Sequence, residues 1–275
     1  MQKSKLLVAV LGALCAMPVF AADAPAAPAA PAVTANVGFT TDYVFNGISQ
    51  NYRSPALQGG FDYTPASGLY LGTWASNISG NQYTNASMEW DMYGGYNGKV
   101  NDDLGYQVGL ISVMYPGGKT ADPTASVYKK WDTSEAILGA TWKSLNVKLT
   151  YTLTDWYGIN TSGYSPTMTA DGSPTADTAD TGSKGSTYVE ANYTYEISEG
   201  LSVIAHAGHQ KIQNFAKLDY TDYKLAVSKL YQGFTYALAY TTTNATDNNL
   251  YHVKINGDDK VLSGNILAAS VSRSF

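Results

Sequence analysis

From about residue 36 onward, apolar and polar residues alternate with a period of two. The pattern is plain in 231–243, where Phe234, Tyr236, Leu238 and Tyr240 share one face and Thr235, Ala237, Ala239 and Thr241 the other. In 145–157, Leu145, Val147, Leu149, Tyr151 and Leu153 oppose Lys148, Thr150, Thr152 and Thr154. In 86–98, Met88, Trp90 and Met92 oppose Glu89, Asp91 and Tyr93; in 187–197, Val189, Ala191, Tyr193 and Tyr195 oppose Glu190, Asn192 and Thr194. Alternation of this kind predicts strands with one apolar and one polar face. Twelve such segments are predicted: 36–46, 55–64, 68–78, 86–98, 104–115, 134–143, 145–157, 187–197, 200–211, 219–229, 231–243 and 263–275. In 68–78 the face is ambiguous, because Leu69/Leu71 and Tyr70/Trp74 are both apolar pairs.

Length discriminates between architectures. Most segments run past 10 residues, whereas globular strands average roughly 5–6. A strand tilted about 45° needs roughly 9–11 residues to cross a bilayer. Connections alternate too. Short ones fall at 64–68, 98–105, 143–146, 196–201 and 230–234; long ones near 47–54, 79–85, 116–133, 158–186, 212–218 and 244–262. Short turns at one end and long loops at the other are the layout of an outer-membrane barrel. The fold class expected is therefore all-β, a transmembrane antiparallel up-and-down barrel of about 12 strands over 36–275, with 158–186 the longest extracellular loop. A soluble β-sandwich is the alternative, but it would mix loop lengths at both ends.

Composition agrees. The chain is 44% hydrophobic but only 14% charged, with 22 Tyr and 26 Gly; uncharged polar residues supply the second face of the strands. The start, "MQKSKLLVAVLGALCAMPVFAADA", has a basic stretch (Lys3, Lys5), an apolar run to Val19 and a small-residue cleavage pattern at Val19 and Ala21. It reads as a signal peptide over 1–21, cut after Ala21 or Ala22, and is too short and too broken by Gly12 and Pro18 for a membrane anchor. Residues 22–35 read as an Ala/Pro-rich linker. Cys15 lies in the leader, so no disulfide framework is expected. Loss of Lys3 and Lys5 leaves 15 of the 17 basic residues against 22 acidic ones, a balance that disfavours a nucleic-acid partner.

The segment "TTDYVFNGISQNYRSPALQGGFDYTPASGLYLGTWASNIS" carries Asp42-Tyr43, Phe45, Gly47-Ile48-Ser49-Gln50, Pro55-Ala56 and "QGGFDY" at 58–63. With "MEWDMYGGY" at 88–96, it resembles the TorF-type porin family of proteobacterial outer-membrane β-barrels. The resemblance implies a barrel and a channel, without naming a solute. The last strand ends on a bare Phe. Leu267, Ala269, Val271 and Phe275 share one face, interrupted by Arg273. This resembles the C-terminal assembly signal of Gram-negative outer-membrane proteins, which implies the barrel assembly machinery as a partner, beside outer-membrane lipid and lipopolysaccharide.

The chemistry sits on the polar face. The alternation points Asp42, Asp62, Glu89, Asp91, Glu190 and Asp222 inward, with Lys148 and Lys224. Solvated wall charges and a lumen that sorts ions are overlapping readings of that set. An outer-membrane phospholipase would need a His–Ser pair with an orienting group. Of His206, His209 and His252, His206 shares a face with Ser202 and Ile204, and no nucleophile motif lies nearby. Asp171, Asp177 and Asp180 in the longest loop miss the spacing of a Ca²⁺ loop. No catalytic residue, metal or cofactor is expected. The reading is an outer-membrane porin for small hydrophilic solutes or ions, weakly cation-preferring; the alternatives are a plugged structural or adhesive barrel and, less favoured, a lipid-modifying enzyme.

Overall fold

The computed structural model describes residues 33–119, 129–161, 181–245, 251–255 and 258–275. The stretch expected to be a signal peptide and the loop acids Asp171, Asp177 and Asp180 lie outside them, as does the side chain of His252. The strands are β1 (Val33–Thr40), β2 (Val44–Phe45), β3 (Ile48–Ser49), β4 (Ala56–Tyr63), β5 (Leu69–Asn77), β6 (Met88–Lys99), β7 (Leu104–Met114), β8 (Thr133–Trp142), β9 (Leu145–Thr152), β10 (Thr187–Ser198), β11 (Leu201–Lys211), β12 (Tyr220–Tyr231), β13 (Phe234–Thr243), β14 (His252–Ile255), β15 (Asp258–Val261) and β16 (Ile266–Ser274). Twelve of them close into one antiparallel barrel in the order β1-β16-β13-β12-β11-β10-β9-β8-β7-β6-β5-β4. Two small hairpins, β2–β3 and β14–β15, stand apart from the ring.

Each strand pairs with its sequence neighbour, so tight turns suffice at one end. Gln232 and Gly233 join β12 to β13 with φ of 50° and 78°, the left-handed pair whose twist matches a two-residue hairpin. The ring closes where β16 meets β1, with Asn36 opposite Ser274 and Thr40 opposite Ser270. The last bonds of the seam are made by the terminal residue: Phe275 N–H donates to Ala35 O at 2.8 Å and Ala35 N–H to Phe275 O at 3.2 Å. Closure leaves no open edge, which is the condition for strands to cross lipid.

The outer surface is apolar. Leu57, Phe61, Leu71, Leu110 and Leu225 are each more than half exposed, as befits side chains whose solvent is lipid. Tyr63, Tyr106, Trp142, Tyr195, Tyr231 and Tyr236 ring the turn end, while Trp90, Tyr151, Tyr223 and Tyr240 ring the loop end. These are the two aromatic girdles of a transmembrane barrel.

Three expected boundaries shift. Val33–Ala35, expected in the linker, already belong to β1, because Val33 pairs with Tyr63 and Ala35 with Phe61. The first strand leaves the ring after Thr40 rather than continuing to 46, and the chain turns into the separate β2–β3 hairpin. Strand β9 stops at Thr152, short of the expected 157, and a 3₁₀ turn at Trp156–Gly158 follows. The face of 68–78 is settled: Leu69 and Leu71 point to lipid, and Tyr70 is buried inside. Its ring fits because Gly109 faces it; a Cβ there would fall 2.0 Å from the Tyr70 hydroxyl.

Candidate functional site

The candidate site is the lumen, built from alternate residues of the ring. On the β9–β12 wall the expected charges meet. Lys148 Nζ lies 2.5 Å from Glu190 Oε1, and both side chains are largely buried. Register explains the contact, since Lys148 stands directly opposite Glu190. His206 Nδ1 lies 3.4 Å from Glu190 Oε2, and its Nε2 lies 2.8 Å from Asp222 Oδ2. Its Nδ1 is also 2.8 Å from Asn192 Oδ1, and Tyr188 O–H donates to Asp222 Oδ1 at 2.8 Å. Lys224 pairs in register with His206, beside Asp222. Lys148, Glu190, His206, Asp222 and Lys224 therefore form one polar patch that carries charges of both signs. His206 does share its inward face with Ser202 and Ile204, as expected.

The β6–β8 wall is acidic. Glu89 and Asp91 are both buried. Glu89 accepts hydrogen bonds from the hydroxyls of Tyr43 at 2.5 Å and Tyr115 at 2.6 Å. Just beyond the end of β7, burial and the Glu89 carboxylate push the Tyr115 phenol far up, so it remains a donor. Asp62 on β4 accepts from Tyr93 O–H at 2.6 Å. Glu135 on β8 lines the same space as Glu89 and Asp91, and the sequence reading missed it. The signal was there: Glu135 alternates with Ile137 and Gly139 against exposed Leu138 in "TSEAILG".

Asp42 is not on the wall of the ring. It lies in the loop after β1, where Ser49 Oγ donates to its Oδ1 at 2.7 Å. Burial raises its carboxyl to about 6, against the opposing pull of Ser49, Arg53 and Lys260. Arg53 in turn donates to the carbonyls of Val261 and Ser263, tying this loop to the segment before β16.

The loop end of the lumen is filled by aromatic and aliphatic side chains. Tyr83 stacks on Tyr115 with centroids 4.4 Å apart, and Trp131 meets Tyr83 edge-on. Tyr115, Phe215, Ile159, Ile212, Leu218 and Leu262 are fully buried there. Below this layer lie two spaces. One of about 610 Å³, part of it continuous with solvent, is lined by Glu89, Asp91, Glu135 and Lys148, with Phe45 and Tyr157. The other, about 260 Å³ and likewise partly continuous with solvent, is lined by His206, Asp222, Lys224 and Thr241 with Asn46 and Gly47.

Of the residues expected to form an assembly signal, Leu267 and Phe275 point to lipid and are both 65% exposed. Arg273, which interrupts them, lies with its guanidinium 5.1 Å from the ring centroids of Phe234 and Phe275. Cation–π contact accommodates the charge at the turn-end rim.

The family model for Gcw_chp, described as a bacterial protein of unknown function, matches residues 23–275. This chain belongs to the Gcw_chp family. Comparison with curated proteins returned no match. Among solved structures, this Gcw_chp barrel is similar to the KdgM porin, at 8% identity and a TM-score of 0.49 over 88% of this chain and 99% of that one. It is similar to the NanC porin at 13% identity and a TM-score of 0.49, over 88% and 99% of the two chains. Pseudomonas aeruginosa OprD aligns at 12% identity and a TM-score of 0.36, over 89% of this chain and 67% of that one.

Proposed function

We propose that the protein is an outer-membrane channel for passive diffusion of small hydrophilic solutes or ions, with a weak preference for cations. The observation that carries this reading is the closed ring itself, apolar outside and lined inside by charged side chains of both signs. Inward acids outnumber inward lysines, so the field in the lumen favours cations, softened by salt bridges and by screening. The TorF-type resemblance points the same way. Planar-bilayer recording of the purified, folded protein tests the proposal. Discrete conductance steps are expected. A barrel that inserts and remains silent at all voltages would overturn it.

A second reading has its own support. The packed aromatic layer at the loop end suits a sealed structural or adhesive barrel. The same recording decides between the two.

A further inference from the structure

We infer that the β2–β3 hairpin is the constriction of the channel, with Asn46 and Gly47 at its tip setting the width of the passage. The inference rests on the channel reading above and names the residues that would limit it.

Strands β1 and β4 are neighbours in the ring, so a short turn would connect them. The chain instead spends residues 41–55 on the connection. Connecting segments ordinarily run over the surface. Here Tyr43, Ile48, Ser49, Gln50 and Asn51 are all buried. The segment has folded back into the barrel.

Its turn is built for a tight reversal. Asn46 has φ 45° and Gly47 φ 80°, the left-handed pair that joins two strands with a two-residue loop. The tip reaches the wall two and three strands along the ring from β1. A Cβ on Gly47 would fall 2.8 Å from Cβ of Asp222 and 3.0 Å from Cβ of Thr243, on β12 and β13. On the other side, Phe45 packs edge-on against Tyr157, with centroids 6.5 Å apart. Asn46 lines both spaces of the lumen, the acidic one against β6–β8 and the mixed one against β11–β13. The hairpin therefore divides the cross-section in two.

The hairpin is held from several sides. Tyr43 O–H donates to Glu89 on β6. Ser49 N–H donates to Leu262 O at 2.7 Å, and Ser49 Oγ bonds Asp42. The hydroxyl of Tyr83 donates to Gln50. These anchors lie on both sides of the β1–β4 seam, toward β16 and toward β6, and hold the hairpin inside the ring. Eight-stranded barrels are filled by wall side chains, and sixteen strands leave an open channel. A twelve-stranded ring lies between, and an inserted hairpin there takes up the space that decides whether a solute passes.

Two recordings test this, each on protein shown to be folded by a heat-dependent shift on a detergent gel. The first uses Asn46→Cys with Cys15→Ser, treated during recording with a bulky cationic methanethiosulfonate. Unit conductance should fall by about half or more, as expected when a narrow lumen loses further cross-section. Full modification by mass with unchanged conductance would overturn the inference. The second replaces 44–49 with a short glycine bridge, which the Gln50 N–H to Tyr43 O bond of 2.7 Å allows the ends to accept. Conductance should rise by about two-fold or more. If the intact and shortened barrels conduct equally, the constriction lies elsewhere and the channel reading stands. If only the shortened barrel conducts, the channel reading fails for the native barrel, while the hairpin is shown to be what closes the lumen. If neither conducts, the inference and the channel reading both fail.

Discussion

At the scale of single residues, several of the buried charges of the lumen are held by named partners. Lys148 and Glu190 form the tightest pair, at 2.5 Å. Removing one member of a buried pair leaves the other desolvated and costs roughly 3–5 kcal/mol. Lys148→Met should destabilise the barrel by something near the low end of that range, because His206 stays beside Glu190. Urea unfolding in lipid vesicles measures it. The double variant Lys148→Met/Glu190→Gln should recover most of the loss. Asp42 gives a pH dependence of known sign. Its carboxyl is raised from 3.8 to about 6 by burial. Between those values the folded loop holds a proton that the opened loop releases. Stability of the loop is therefore greatest below about pH 4 and declines as pH rises through about 6. Hydrogen exchange at the Ser49 and Gln50 amides, corrected for the intrinsic pH dependence of exchange, should show weaker protection at pH 7 than at pH 5. Asp42→Asn should flatten that difference while keeping an oxygen for Ser49.

At the scale of elements, β16 does two jobs with one alternating pattern. Its inward residues Ile266 and Ser272 are buried, while Leu267 and Phe275 face lipid. Its end closes the ring through the Phe275 and Ala35 backbone bonds. The Phe275 side chain itself remains exposed to lipid, so deleting the residue should cost the finished fold at most about 1.5–3 kcal/mol. The larger effect should appear in cells, as less assembled protein in the outer membrane and more degraded or periplasmic material. Normal assembly in cells together with poor refolding in detergent would show that the terminus acts through stability instead of recognition. The β2–β3 hairpin shows how local and distant forces divide the work. Asn46-Gly47 is a strong turn signal in the chain, but where the turn points is decided by Tyr43 reaching Glu89 and Ser49 reaching Leu262.

At the scale of the molecule, charge on the inner wall sets the field that a permeating ion meets. Asp91 and Glu135 line the larger space, and Glu89 lines it while also holding Tyr43 and Tyr115. At an effective dielectric near 20, one charge about 8 Å away contributes roughly 2 kcal/mol before screening. Physiological salt, with a Debye length near 8 Å, reduces that to a modest preference. Neutralising Glu89 and Asp91 together should move the reversal potential in a KCl gradient toward zero, and adding Glu135→Gln should move it further. An anion-favouring channel, or one indifferent to these changes, would show that permeant ions do not pass this wall.

The sequence by itself determined the ring. Apart from 68–78, period-two alternation states which side of a strand meets lipid, and a long strand beside a short turn has only its neighbour to pair with. Strand number and the faces of Glu89, Asp91, Lys148, Glu190 and Asp222 follow from that local pattern. Even Glu135 was legible in its own strand. What only the tertiary structure decided is how those side chains are spent. Lys148 finds Glu190, and Tyr43 finds Glu89, across gaps of more than forty residues. The path of 41–55 back into the lumen leaves no periodic trace, because it is held by single side-chain bonds to distant strands rather than by a repeating pattern along its own chain.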